Sequence, residues 1–426
     1  MALTGALLLT TAPTASADYV RDGQWPLTVY GAENVWKTSQ GAGVTVAVVD
    51  SGVQSSHLDL TGQVLPGKDF TGAGKPDEDS DGHGTGMASL IAGHGHGANG
   101  SAGVMGLAPK AKILPVRVDT TENQIDTAAW AAGVRYAVDH GASVINLSIG
   151  DSSAYPGSKA AKAVAYAQAH DAVVVAASGN DAGTVSYPAA LPGVVAVSAV
   201  DQSLNFWDKS NTGKVTVAAP GVQTPQADPN SPTGYVKADG TSGSAAYVSA
   251  IVALLRSKYP DLTAGQIINR LIKSASFINY KDKKAPDKEL GYGIARPGTA
   301  LRMNIPKGPK EGPLAQASPS TSTNSGSASG GNESTSATEK KSDSSSGGIL
   351  LIVGIAAAVI VIGIAFAVIR SRRNGRGNGP TPSGGTPSHG AGYPPQPPTG
   401  YQHYPNTPPS QGRYPTPPGQ PPHQGQ

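Results

Sequence analysis

The feature that most constrains the fold is an alternation of two patterns over the N-terminal two thirds of the chain. Short, continuously apolar runs rich in β-branched residues alternate with amphipathic or alanine-rich stretches of helical length. Strands that are apolar on both faces are typical of a parallel sheet covered by helices on each side. The predicted strands span residues 44–49, 113–118, 144–148, 173–177 and 194–200. The predicted helices span residues 127–140, 158–170 and 244–258.

Composition narrows the possible classes of function. The 426 residues carry a formal net charge of only +3, which is too weak to indicate nucleic acid as a partner. Cysteine is absent, so disulfides, thiolate metal sites and a cysteine nucleophile are excluded. Proline, serine and glycine crowd into the last third, and the apolar residues that could build a large core lie before it.

Both ends of the chain carry patterns typical of targeting segments. Residues 1–17 hold an apolar stretch that ends in the small-x-small pattern Ala15-Ser16-Ala17, which predicts a secretory signal peptide. No Lys or Arg precedes this stretch, so a disordered terminus is the alternative. Residues 349–369 contain no charge and would reach about 31 Å as a helix, enough to cross a bilayer core of ~30 Å.

The arginines that follow this segment predict its orientation. Lys and Arg favour the cytoplasmic side of a membrane, so we expect a single-pass cell-membrane protein with a cytoplasmic C-terminus. A buried core helix is the alternative, but the flanking sequence is polar and offers nothing to pack against. The predicted organisation is an extension at 18–43, a globular domain at 44–301, a disordered linker at 302–348 and a disordered proline-rich tail at 370–426.

Four polar residues stand where a parallel sheet normally places its chemistry, beyond the carboxyl ends of the strands. Asp50 closes the first predicted strand, and Asn180 follows another. His83 lies between two glycines, just before a helix-like run at 86–92. Ser242 lies at a glycine-rich entry to a long apolar helix, where its own amide and the helix N-terminus would favour negative charge.

Each of these residues also has an ordinary structural explanation. The aspartate and asparagine could be turn residues, the histidine a loop residue, and the serine a helix N-cap. Their combination favours function, because all four are expected to converge at one sheet edge. The chain order Asp, His, Ser is also one of the orders known for a triad in which a carboxylate orients an imidazole that deprotonates a hydroxyl.

Five segments resemble the signature segments of the subtilisin family of serine peptidases, and the resemblance covers about residues 41–298. They are VAVVDSGV, DGHGTGMASLIAG, VINLSIG, VVVAASGN and DGTSGSAAYVSA. The resemblance implies a three-layer α/β subtilisin-like fold with a mainly parallel sheet. It also implies a serine endopeptidase that acts on protein or peptide substrates and requires no cofactor.

The roles of individual residues follow from the same resemblance. Asp50 would orient His83, and His83 would remove the proton of Ser242 during formation of an acyl-enzyme. Asn180 and the Ser242 amide would bind the oxyanion, where loss of one donor typically lowers turnover by ~10²–10³. The segment expected to pair with extended substrate and to line the specificity pocket is Ser148, Ile149 and Gly150.

Four positions depart from the family pattern. Gly86 stands where many relatives have a second histidine, and Ala246 stands where proline is usual. Gly243 and Ser244 follow the expected nucleophile, where Met and Ala are frequent. Because glycine disfavours helix, we expect Gly243 to loosen this region and interpret the departures as tuning of activity.

The region before the first strand resembles a more specific group. Residues 18–36 look like the N-terminal extension of mycosins, the membrane-anchored subtilisin relatives of type VII secretion systems in actinobacteria. This resemblance implies a type VII secretion membrane complex as a partner. Two alternatives remain at this point: a structural subunit whose triad is largely dispensable, and a general nutritional protease, against which the membrane anchor argues.

Two further clusters are candidate metal sites. Asp77, Glu78, Asp79 and Asp81 precede His83, and a calcium ion could bind them, although a solvated loop is the favoured expectation. His94 and His96 could also hold a metal, although a flexible loop is the favoured expectation there.

Overall fold

A computed structural model describes residues 15–118 and 125–316. Its centre is a seven-stranded sheet in the order β2-β5-β1-β6-β7-β8-β9, in which every neighbouring pair is parallel. The predicted mainly parallel α/β fold is therefore confirmed. The strands are β1 Thr45–Asp50, β2 Lys68–Asp69, β3 His94–His96, β4 Ala102–Met105, β5 Lys112–Arg117, β6 Val144–Leu147, β7 Val173–Ala177, β8 Val195–Val200, β9 Val217–Pro220, β10 Thr224–Ala227 and β11 Tyr235–Ala238.

The helices begin at positions that local sequence explains. The Asp126 side chain caps the helix that begins at Thr127, and the Ser158 side chain caps the helix that begins at Lys159. Thr263 and Gln266 form a capping box at the start of another. The helices are α1 Ala15–Asp22, α2 Trp25–Tyr30, α3 Ala32–Trp36, α4 His83–Ala92, α5 Thr127–Asp139, α6 Lys159–Ala169, α7 Thr241–Lys258, α8 Ala264–Ser274 and α9 Pro297–Arg302.

The sheet is buried on both faces, and β7 shows how the sequence produces this. Val173, Val175 and Ala177 face one hydrophobic cluster, which also holds the apolar residues of α4, α7 and α8. Val174 and Ala176 face a second cluster, built with α5 and α6. Because side chains alternate across a strand, an unbroken apolar run supplies both clusters at once. Each buried valine contributes about 1.5–3 kcal/mol to this core.

The segment before β1 packs onto the domain through helices α1 to α3. The Gln24 amide forms a two-way hydrogen bond with the backbone of Met105, at 2.9 Å in each direction. The Trp25 indole donates to the Val222 carbonyl at 3.1 Å, and the Trp36 indole donates to the Leu107 carbonyl at 2.9 Å. These contacts join the predicted extension to the edge of the domain near β4 and β9.

The expectation of a flexible loop at His94 and His96 is wrong. Both residues belong to β3, which pairs antiparallel with β4. Nδ1 of His96 lies 2.6 Å from Oδ1 of Asp59, a carboxylate with no exposed surface. The sequence pattern of glycines and histidines did not reveal this pairing, because the partner carboxylate lies far away along the chain.

Several predictions concern segments outside the described residues. The linker beyond residue 316, the span at 349–369 and the tail at 370–426 lie there, as does all but the end of the signal peptide at 1–17. Among the helices of residues 15–118 and 125–316, none has the length and apolar character needed to cross a membrane.

Candidate active site

Asp50 and His83 meet at the carboxyl edge of the sheet. Asp50 ends β1 and His83 begins α4, and Oδ1 of the aspartate lies 2.8 Å from Nδ1 of the histidine. The carboxylate has no exposed surface, whereas 32% of the His83 side chain is exposed. The carboxylate fixes the ring through Nδ1, which leaves Nε2 as the nitrogen able to accept a proton.

Glycine is required for this close approach. A side chain at Gly84 would place its Cβ 2.1 Å from the carbonyl oxygen of Gly52, which is backbone and cannot move aside. The start of α4 can therefore lie directly against the chain that leaves β1. The helix begins at His83 itself, three residues before the predicted run at 86–92.

The acidic loop before His83 is only partly solvated, which corrects the expectation for one of its members. Asp79 is 4% exposed, and its carboxylate accepts hydrogen bonds from several neighbouring residues. Its Oδ1 accepts hydrogen bonds from the Ser51 hydroxyl at 2.9 Å and the Gly82 amide at 2.9 Å. Its Oδ2 accepts from the amide and the hydroxyl of Thr85, at 2.8 and 2.6 Å. These bonds tie the His83 loop to the end of β1.

The remaining members of this loop are exposed to solvent, as predicted. Both oxygens of Asp79 already accept hydrogen bonds from protein donors. Within residues 15–118 and 125–316, no group of three or more histidine or acidic side chains is arranged to hold a metal ion.

Electrostatics at this edge favour the protonated form of His83. Burial of the ring opposes protonation, whereas the Asp50 carboxylate favours it through its charge and its hydrogen bond. The charges of Asp81 and Asp79 add to the effect of Asp50, and the net result raises the pKa of His83 to about 9.

This pKa predicts the pH dependence of activity. His83 must be neutral to accept a proton, so kcat/KM for an uncharged peptide should rise with pH through a midpoint near the pKa of about 9. Asp81→Asn removes one charge that favours protonation and should move the midpoint to lower pH. Asp77→Asn is the matched control, because Asp77 is an exposed carboxylate of the same loop, and its profile should match that of the wild type. An unmoved midpoint for Asp81→Asn would contradict this account.

Ser242 lies in the first turn of α7, which packs across β6 to β9. Its hydroxyl donates to the carbonyl oxygen of Ser148 at 3.3 Å. Among the hydrogen bonds of the described residues, it makes none to His83. Proton transfer would therefore require the hydroxyl to turn from Ser148 towards the imidazole. Hydrogen bonds between a nucleophile and its base are often long before substrate binds and shorten in the complex with substrate.

Asn180 follows β7 and is held by the residue that precedes Ser242. Its Oδ1 accepts from both the amide and the hydroxyl of Thr241, each at 2.9 Å. Because both of these donors take the oxygen, the NH₂ group is left to donate elsewhere. Thr241 has no exposed surface and was not singled out from the sequence, since its contact with Asn180 spans 61 positions.

A cleft of about 730 Å³ joins most of the predicted site residues. Three of its walls come from the chain just after β6, just after β7 and at the start of α7. The predicted residues that line it are Ser148, Ile149, Gly150, Asn180 and Ser242. The structure thus brings the predicted substrate segment, oxyanion donor and nucleophile to one cavity, and Asp50 with His83 to the same sheet edge.

The departures from the family pattern have local structural reasons. A Cβ on Gly86 would lie 2.6 Å from Nε2 of Gln226, so the space of a larger residue is taken by that side chain. Ser244 is fully buried, and its hydroxyl donates to the carbonyl oxygens of Ala219 and Pro220 at 2.9 and 3.1 Å. Nothing in the structure explains Ala246.

Gly243 is the departure that predicts a gain in stability. A Cβ there would meet only Oγ1 of Thr224 at 3.4 Å and Cδ1 of Leu90 at 3.5 Å, which are ordinary van der Waals contacts. Gly243→Ala should raise the free energy of unfolding by about 0.5–1 kcal/mol, because alanine favours helix and restricts the unfolded chain. Thermal unfolding measures the change. Gly221→Ala should lower the free energy of unfolding, since its Cβ would lie too close to Oγ of Ser244.

Comparison with known proteins identifies the family. The subtilase family matches residues 41–293, which includes every residue of the site. The chain belongs to the subtilase family. Thermitase of Thermoactinomyces vulgaris is 39% identical to this subtilase over 229 residues, which are 53% of this chain and 80% of thermitase. The predictions of a subtilisin-family resemblance and of a serine peptidase are therefore confirmed.

Solved structures show a likeness that covers a larger share of the chain. The crystal structure of MycP1 from the ESX-1 type VII secretion system is 29% identical with a TM-score of 0.59, and covers 68% of this chain and 88% of that one. The MycP3 protease from the type VII (ESX-3) secretion system is 30% identical with a TM-score of 0.55, and covers 70% of this chain and 91% of that one. This subtilase is thus similar to MycP proteases, as the resemblance to mycosins predicted.

Proposed function

We propose that this subtilase hydrolyses peptide bonds through an acyl-enzyme formed on Ser242. The observation that carries the proposal is the 2.8 Å contact between buried Asp50 and His83, at the sheet edge where the cleft holds Ser242 and Asn180. A buried carboxylate–histidine pair alone does not indicate catalysis, since Asp59 and His96 form a similar pair at 2.6 Å. What distinguishes Asp50 and His83 is their position at the carboxyl edge of the sheet, where Ser242 and Asn180 line the cleft.

The reaction starts with substrate laid along the segment of residues 148–150. His83 Nε2 takes the hydroxyl proton of Ser242 as Oγ attacks the scissile carbonyl carbon. Asp50 keeps the ring oriented and stabilises the imidazolium that forms. Asn180 and the Ser242 amide donate to the oxyanion, and His83 then gives its proton to the leaving amine. Water repeats the sequence on the acyl-enzyme and frees Ser242. No step uses a metal or cofactor.

The proposed location of the reaction is the outer face of the cell membrane. The support is the uncharged stretch at 349–369 with its following arginines, together with the signal-like residues 1–17. Similarity to proteins from type VII secretion systems supports association with such a system, through a membrane complex as partner.

A fluorophosphonate probe tests the chemistry, because it modifies only an activated serine. Full-length protein in membranes should be labelled at Ser242, and mass spectrometry should locate the adduct there. If the protein is folded but is not labelled, the result would contradict the proposal.

The lack of cysteine permits a clean test of topology. Ser325→Cys in the predicted linker and Ser388→Cys in the tail each create a single thiol in the chain. In intact cells, a membrane-impermeant maleimide should label the first and label the second only after lysis. Labelling of both before lysis would contradict the predicted orientation.

A further inference from the structure

A buried chain of hydrogen bonds lies beneath Ser242, and its members Asn146 and Ser249 take no part in the reaction described above. The Ser148 hydroxyl donates to the Ser242 carbonyl oxygen at 3.0 Å. Nδ2 of Asn146 donates to the Ser148 hydroxyl at 2.9 Å, and the Ser249 hydroxyl donates to Oδ1 of Asn146 at 3.0 Å. Asn146 and Ser249 have no exposed surface.

The chemistry of these groups fixes the direction of every bond in the chain. A serine hydroxyl has one hydrogen, and the Ser242 carbonyl oxygen can only accept. The Ser148 hydroxyl must therefore donate its one hydrogen to the Ser242 carbonyl oxygen. Its other hydrogen-bond partner, the side chain of residue 146, then has to be a donor. The amide of Asn146 meets this need with Nδ2 and turns Oδ1 towards Ser249. A carboxylate at position 146 could not do so, because it only accepts.

The chain closes on the helix that carries the nucleophile. Ser242 and Ser249 both belong to α7, whereas Asn146 lies in β6 and Ser148 directly follows it. The Ser148 carbonyl also receives the Ser242 hydroxyl, so the two serines are linked in both directions. The start of α7 is thereby held against the end of β6, where Ser148 and Ser242 both line the cleft.

We infer that Asn146 is a positioning residue of the active site, which acts on Ser242 through the Ser148 hydroxyl. The inference rests on the proposed role of Ser242 as nucleophile. Loss of the Asn146 amide frees the Ser148 hydrogen to turn away, and the first turn of α7 loses its fixed partner. A shift of about 1 Å in a reacting group can lower the rate by ~10²-fold. We expect kcat to fall about 10- to 100-fold with KM little changed.

A double-mutant cycle tests how Asn146 acts. Asn146→Ala and Ser148→Ala are made singly and together in the full-length protein, and kcat is normalised to active sites titrated with the fluorophosphonate. Because Asn146 acts only through the Ser148 hydroxyl, the double variant should be about as slow as Ser148→Ala alone. Losses that multiply would overturn the inference, as would an unchanged kcat for Asn146→Ala.

Two further variants guard against simple loss of folding. Asn146→Asp keeps the size of the side chain and an acceptor for Ser249, but it competes with the Ser242 carbonyl for the single hydrogen of Ser148. It should also lower kcat, and a wild-type kcat would count against the inference. Ser198→Ala is the matched control, because this serine is also buried but is not part of the site. Its hydroxyl donates to the Glu289 carbonyl oxygen at 2.6 Å. It should lower stability and leave kcat unchanged.

The outcome for Asn146 is distinguishable from that for the proposed function. If wild-type protein is not labelled at Ser242, the proposed function fails. If it is labelled and the cycle is multiplicative, only the role of Asn146 fails.

Discussion

Ser242→Ala should lower kcat for a peptide substrate by about 10⁶-fold, the size known for loss of the triad serine in subtilisin itself. The substitution removes the proposed nucleophile, and the other hydroxyl of this turn that lines the cleft, that of Thr241, donates to Asn180 at 2.9 Å. KM should change little, since the substrate segment at 148–150 remains. Residual hydrolysis above the rate in water would come from substrate binding and the oxyanion donors.

The measurement is the cleavage of a fluorogenic peptide by purified full-length protein, together with thermal unfolding. Ser244→Ala is a suitable control, because this serine is two residues further along the same helix and its hydroxyl bonds to Ala219 and Pro220. That variant should lose stability but retain turnover. Peptide cleavage by Ser242→Ala at the wild-type rate would falsify the assignment of the nucleophile.

The same variant separates an enzymatic from a structural role in the cell. If this subtilase serves a secretion complex mainly by holding it together, Ser242→Ala should restore secretion fully in a strain that lacks the protein. If proteolysis is the required activity, the variant should restore the complex but not the cleavage of its substrate. Both outcomes are compatible with loss of peptidase activity in vitro.

Sequence periodicity predicted the central sheet well. The run at 173–177 coincides with β7, the predicted strand at 194–200 begins one residue before β8, and the predicted strand at 113–118 is displaced by one residue at both ends from β5. The reason is physical: a strand buried on both faces must be apolar at every position, and that pattern needs no tertiary information.

Side-chain networks could not be predicted in the same way. Asp79 looked like one of several solvated carboxylates, yet its burial depends on Ser51 and Thr85 from other parts of the chain. The same holds for Thr241, which fixes Asn180, and for Asn146 beneath Ser148. A single polar residue carries no sign of its partner in the sequence. The resemblance to a family indicated the candidate reacting groups, and only the fold showed which side chains hold them in place.

Asp50→Ala should lower kcat by about 10⁴-fold, as is typical when the orienting carboxylate of such a triad is lost. His83 would keep its place at the start of α4, but nothing would hold Nδ1 protonated and Nε2 free to accept. Asp50 is also the strongest influence that favours the charged form of His83. The residual activity should therefore reach its plateau at lower pH than in the wild type, because the pKa of His83 falls.

Asp59→Ala provides a matched control for the loss of a buried carboxylate. Asp59 has no exposed surface and pairs with His96 at 2.6 Å, as Asp50 pairs with His83 at 2.8 Å. Both substitutions remove a buried acceptor from a histidine, so both should lower the thermal unfolding temperature. Only Asp50→Ala should also lower kcat and shift the pH profile. Equal loss of turnover in the two variants would mean that the effect comes from destabilisation, and Asp50 would then have no special role in catalysis.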